Sequence, residues 1–149
     1  MRKDRAQTPV MAPLLDALFP YSTTTRDITV RVAVSFLPEQ SDPSSSRWFW
    51  AYHIRVENGG RQPVQLLTRT WVIVDGRGRH EEVEGEGVVG EQPVIPPGES
   101  FDYVSGCPLP TPTGAMVGSY GMVAEDGERF EAAIPPFSLH LPGAERSLN

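Results

Sequence analysis

Gly85-Glu86-Gly87-Val88-Val89-Gly90-Glu91-Gln92-Pro93, followed closely by Pro96-Pro97-Gly98, decides the fold. Its first part matches the phosphate-binding pattern G-x-G-x-x-G. That pattern works where a strand feeds a helix, because the N–H groups and dipole at the helix N-terminus then hold a pyrophosphate. No helix can follow here: Pro93 closes the stretch, and Pro96-Pro97 fixes two more φ angles before Gly98 turns the chain. Glu86 and Glu91 would also set negative charge beside a phosphate. The glycines therefore read as a bulge or irregular loop between strands. Were a nucleotide or pyrophosphate bound here, Gly85, Gly87 and Gly90 are the residues that would hold it.

Just upstream runs Glu81-Glu82-Val83-Glu84-Gly85-Glu86. On an extended chain Glu82, Glu84 and Glu86 share one face, with neighbours about 7 Å apart. A bend at Gly85 would gather them into a site for a hard cation such as Mg²⁺, or for weak Co²⁺ binding. Without the bend they are a solvated strand edge whose charge discourages pairing. His53, His80 and His140 are far apart and make no zinc spacing; only His80 has acidic neighbours.

The pattern on both sides has a period of two. Ile28, Val30, Val32, Val34 and Phe36 alternate with Thr29, Arg31, Ala33 and Ser35. Trp48, Trp50, Tyr52, Ile54 and Val56 do the same after a Ser-rich loop. Residues 64–74 form a third apolar, β-branched run, closed by the turn Asp75-Gly76-Arg77-Gly78. Residues 80–84 read as a polar edge strand and 100–105 as another strand. Residues 115–124 and 128–134 flank a turn at Glu125-Asp126-Gly127, and Pro135-Pro136 separates a last edge strand at 137–141. Short strands at regular spacing with no helix after residue 20 predict an all-β sandwich of seven or eight antiparallel strands.

The 149 residues suit one domain, and a chain of this length buries about 70% of its unfolded surface. The net charge is -6, and residues 81–102 carry seven acids with no Lys or Arg, leaving 13 basic against 12 acidic residues elsewhere. An acidic chain repels phosphate backbones, so no nucleic-acid partner is expected. Cys107 is the lone cysteine, which excludes an internal disulfide and fits a reducing, cytoplasmic setting. No run approaches the length of a membrane span, and Pro9, Pro13 and Asp16 break the one apolar segment near the start. In residues 1–24, Leu14-Leu15-Asp16-Ala17-Leu18-Phe19 has the makings of one or two helical turns ended by Pro20. Ser22-Thr23-Thr24-Thr25 reads as a polar linker, so this extension is expected to be partly ordered at best. In Trp48-Phe49-Trp50-Ala51-Tyr52, alternation puts Phe49 on the face opposite the tryptophans. Phe49 with Leu67 and Trp71 is then a candidate protein-binding patch, the alternative being core packing.

Together these residues resemble the ApaG family. The resemblance is carried by Arg47-Trp48-Phe49-Trp50-Ala51-Tyr52, Pro63-Val64-Gln65-Leu66-Leu67-Thr68-Arg69, Trp71-Val72-Ile73 and Asp75-Gly76-Arg77-Gly78-Arg79. Its most specific part runs from Glu82 through Pro93, and Tyr103-Val104-Ser105-Gly106-Cys107-Pro108-Leu109 follows. It spans residues 25–141, leaving 1–24 as an N-terminal extension and 142–149 as a tail. The resemblance implies an immunoglobulin or fibronectin type III-like sandwich and a bacterial protein linked to cobalt resistance and magnesium efflux. Related domains in eukaryotic F-box and polymerase-interacting proteins imply protein binding.

Three readings of function result: a non-enzymatic protein-binding module acting indirectly on cobalt and magnesium homeostasis, direct metal sensing by residues 81–102, and nucleotide binding through the glycine loop. The protein partner is unnamed by the sequence, and free sheet edges leave a homodimer open.

Overall fold

The computed structural model describes residues 11–143. A short helix, α1 (Met11–Leu18), leads into β1 (Tyr21–Thr25), β2 (Ile28–Phe36), β3 (Trp48–Asn58), β4 (Val64–Asp75) and β5 (His80–Glu86). Then come β6 (Val94–Ile95), β7 (Ser100–Leu109), β8 (Gly114–Ala124) and β9 (Arg129–Leu139). One sheet has the order β1-β2-β3-β7, the other β5-β4-β8-β9 with β6 paired to the start of β4, and every pairing is antiparallel. The fold is an all-β sandwich. Nine strands are present among the described residues where seven or eight were expected.

Alternation explains the core. Ile28, Val30 and Val32 of β2 and Trp50, Ile54 and Val56 of β3 are buried, while their sequence neighbours face outward. From the other sheet, Leu66, Tyr120, Met122, Ile134 and Leu139 meet them. The Trp50 indole N–H donates to the His140 carbonyl at 2.9 Å, which satisfies its one polar atom.

Three local departures from the sequence reading have physical causes. Ser22-Thr23-Thr24-Thr25 is strand rather than linker: β-branched threonines suit a half-buried edge, and β1 pairs with β2 through a two-residue turn at Arg26 and Asp27. Both turn residues have positive φ, 49° and 69°, as a type I′ hairpin needs. Next, Pro135-Pro136 does not interrupt: β9 is continuous, and the register shift between Met116 and Gly118 sets the two prolines opposite a single residue of β8. A bulge on an edge strand tolerates the missing N–H groups. Last, a register shift between Leu66 and Thr68 makes Leu67 an extra residue in β4 and reverses the alternation after it. Trp71 consequently points into the core, only 3% exposed, against Tyr52 and Phe137.

The helix lies on the outer face of the first sheet. Leu15 and Phe19 are buried there, the Phe19 ring meets His53 edge-on at 4.9 Å, and Asp16 Oδ1 accepts from Arg31 at 2.8 Å.

Candidate functional site

The acidic run forms β5, at the edge of the second sheet. Glu82, Glu84 and Glu86 stand opposite Val72, Thr70 and Thr68 and are exposed. The strand continues through Gly85 without a register shift, so the bend that would gather them is missing and they remain strung along the outer face. Among the described residues no group of three His, Cys, Asp or Glu side chains is placed to hold a metal ion. Glu82, Glu84 and Glu86 therefore do not make the cage that a bend would have given.

The three glycines each answer a local steric demand. Gly85 is the register partner of Arg69, and a Cβ there would lie 2.8 Å from the guanidinium. That guanidinium donates from Nη1 to the carbonyls of Glu86 at 3.1 Å and Gly87 at 2.9 Å. Gly87 has φ of 68°, and a side chain on it would strike the Glu91 carbonyl. Val89 and Gly90, with φ of 42° and 82°, are the central pair of a type I′ turn. Reciprocal bonds between Val88 and Glu91, 2.8 and 2.9 Å, close it. The Gly87 N–H goes to the Leu67 carbonyl at 2.8 Å. The N–H groups of Gly87, Val88 and Glu91 are thus committed within the protein, and β6 rather than a helix is the next element.

Phe49, Leu67 and Trp71 do not converge. Phe49 is half-buried on the outer face of the first sheet, its ring over Gly106 of β7. Leu67 sits at the bulge in the other sheet, and Trp71 is core. The predicted patch does not form, because Phe49 and Leu67 belong to different sheets and the bulge turns Trp71 inward.

The histidines are equally dispersed. His53 packs on Phe19, His80 Nδ1 is 3.1 Å from the Gly78 carbonyl, and His140 lies beyond β9.

Inside, Tyr103 of β7 and Tyr120 of β8 bring their hydroxyls to 2.5 Å, linking the two sheets. Burial raises the pKa of both and of Tyr52, partly offset by the nearby Arg69 charge. Burial, assisted by Glu81, pushes the Cys107 thiol up to about 11, so it stays protonated near neutrality and is a poor nucleophile.

Two features escaped the sequence reading. Arg69 faces inward because it follows the Leu67 bulge, which no local pattern announces. The second is the exposed side of α1: Met11, Leu14 and Leu18, at 40, 53 and 58% exposure, form a ridge at helical spacing. Around its base runs a charge network in which Glu57 Oε2 accepts from Arg31 at 2.9 Å and Arg55 at 2.7 Å. Counting apolar residues at i, i+3 and i+7 in residues 11–18 was the available signal.

Known proteins share this arrangement. The ApaG domain family matches residues 38–124. The chain is 58% identical to Protein ApaG of Afipia carboxidovorans over 129 residues, 87% of this chain and 99% of that protein. It is also 58% identical to Protein ApaG of Rhodospirillum centenum over 122 residues, 82% of this chain and 94% of that one. The crystal structure of an ApaA protein from Bordetella pertussis superposes with a TM-score of 0.76 at 49% identity, covering 83% of this chain and 98% of that one. With a domain match over more than half its length and relatives this similar over most of it, the chain belongs to the ApaG family.

Proposed function

We propose that this chain is a non-enzymatic protein-binding module, and that any influence on cobalt or magnesium homeostasis passes through its partner. The supporting observation is the apolar ridge of Met11, Leu14 and Leu18 on a helix pinned to the sheet by Leu15, Phe19 and the Asp16–Arg31 pair. Apolar side chains held out from a fixed scaffold are the usual form of a contact surface. The committed N–H groups of the glycine turn and the protonated Cys107 favour this reading over phosphate binding or covalent catalysis. A cytoplasmic location accords with the free thiol of the lone cysteine.

Crosslinking in the native cell with mass spectrometry tests the proposal. One protein should be recovered in near-stoichiometric amount, and the Leu14→Asp/Leu18→Asp variant, folded by circular dichroism, should lower its recovery by about tenfold or more. Unaltered recovery with that variant, or turnover of a nucleotide by the purified chain, would overturn it.

A further inference from the structure

We propose that the free edge of β7, over residues 102–106, receives an extended, basic segment of a partner protein as an added strand. The inference rests on the protein-binding reading and specifies the partner's chemistry.

The two open sides of the sandwich differ. Where β1 and β9 meet, edge amides are covered: the Ala133 N–H donates to Thr25 Oγ1 at 3.2 Å and the Ser138 N–H to Tyr21 Oη at 3.4 Å. On the opposite side, among the described residues, β7 is the last strand of its sheet and pairs with β3 alone. The Asn58 N–H donates to the Glu99 carbonyl at 2.9 Å, and the β3–β7 register then runs to Trp48 and Leu109 without a shift. Antiparallel pairs alternate in their bonding, so Phe101, Tyr103, Ser105 and Cys107 bond to β3 through their main chain. The N–H and C=O groups of Asp102, Val104 and Gly106 accordingly point away from the sheet. Val104 is 59% exposed, and the protections that usually blunt an edge, a lysine, a bulge or an interior proline, are missing before Pro108.

Charge selects the occupant. The facing edge is β5, with Glu81, Glu82, Glu84 and Glu86 exposed, and Glu91, Glu99 and Asp102 are exposed as well. Among the described residues the ion-pair contacts of Asp102 are long, 3.7 Å to both Arg55 and His53. Residues 81–102 contain no Lys or Arg, and Arg55, the cation beside Asp102, is drawn to Glu57 at 2.7 Å, so the charge along this side is predominantly negative. Strand addition draws affinity from main-chain bonds and specificity from alternate side chains. Apolar residues of the guest would face the half-buried Phe101 and Val83, and Lys or Arg turned outward would lie on the side of Asp102. Glu82, Glu84 and Glu86, on the outer face of the other sheet, act only through their longer-range field. A second copy of this chain would bring like charges together and is disfavoured.

The test uses the full-length ¹⁵N-labelled protein and two synthetic peptides, one alternating Arg with Val and one alternating Glu with Val. Hydrogen exchange should show the Arg–Val peptide protecting the amides of Asp102, Val104 and Gly106 by about tenfold or more. Affinity should fall by about tenfold or more for the Glu–Val peptide and at high salt. Val104→Pro removes one outward N–H without touching the β3 ladder, so it should fold and lose binding. If that variant does not fold, Glu81→Gln/Asp102→Asn should weaken binding of the Arg–Val peptide by about threefold or more. Equal binding of both peptides, protection confined to α1 or to residues 85–90, or sedimentation showing two copies joined at β7 would overturn the proposal. Should Val104→Pro keep the cellular partner that Leu14→Asp/Leu18→Asp loses, the edge proposal falls while the protein-binding reading stands. If the native protein recovers no partner at all, that reading falls first.

Discussion

The Arg69 guanidinium fills the space that a side chain on Gly85 would occupy, 2.8 Å from the position of its Cβ. The glycine lets the arginine pass over the edge strand and bond the carbonyls of Glu86 and Gly87. Gly85→Ala should therefore swing the flexible Arg69 guanidinium off the Glu86 and Gly87 carbonyls and destabilise the fold by about 1 kcal/mol in urea unfolding. In an Arg69→Ala background the same substitution should cost less, giving a coupling of about 1 kcal/mol. Strictly additive costs would show that the two residues do not share this space.

Val89 is a β-branched residue held at φ of 42° in the type I′ turn. Such residues are strained there, whereas Asn and Gly are at ease. Val89→Asn should raise the stability of the protein by about 1 kcal/mol, read as a higher thermal midpoint. A lowered midpoint would mean that the exposed valine contributes contacts outweighing the strain.

The Tyr103–Tyr120 pair sets the alkaline limit. Burial raises both pKa values in the folded protein, so the unfolded chain loses its phenolic protons first. Stability from this source is complete below the unfolded value of about 10 and falls as pH rises past it, by up to ~1.4 kcal/mol per pH unit for each tyrosine. Tyrosinate absorbance from these residues should appear together with loss of the fold. Ionisation in a still-folded protein would contradict this.

Trp71 and Leu67 should separate cleanly. Trp71→Ala opens a cavity against Tyr52 and Phe137 and should cost about 3–5 kcal/mol. Leu67→Ala, at the half-buried bulge, should cost less than about 1.5 kcal/mol. Denaturant midpoints of the two variants decide it, and a stable Trp71→Ala protein would return Trp71 to the surface.

Much of the fold could be read from alternation, because Ile28 to Phe36 and Trp48 to Val56 each bury one face against the other sheet. Legibility ended where one residue changed the count. Leu67 enters β4 as a bulge, Trp71 and Arg69 change faces with it, and nothing local in Leu66-Leu67-Thr68 distinguishes a bulge from a plain strand. Polarity misled at Ser22-Thr23-Thr24-Thr25, where β-branching and the turn at Arg26 and Asp27 prevail. Of the candidate site, the strand-and-turn nature of the glycines was legible from the prolines after them. The inward Arg69 that explains Gly85 was not, since its position depends on a pairing between β4 and β5.

The most direct measurement is an amide NMR titration of the full-length protein with pyrophosphate, followed at residues 85–91. Because the N–H groups of Gly87, Val88 and Glu91 already bond to carbonyls, these resonances should stay in place up to millimolar ligand. Saturable shifts centred on Gly85, Gly87 and Gly90 would contradict the assignment of this stretch to strand and turn, and would make it a phosphate site.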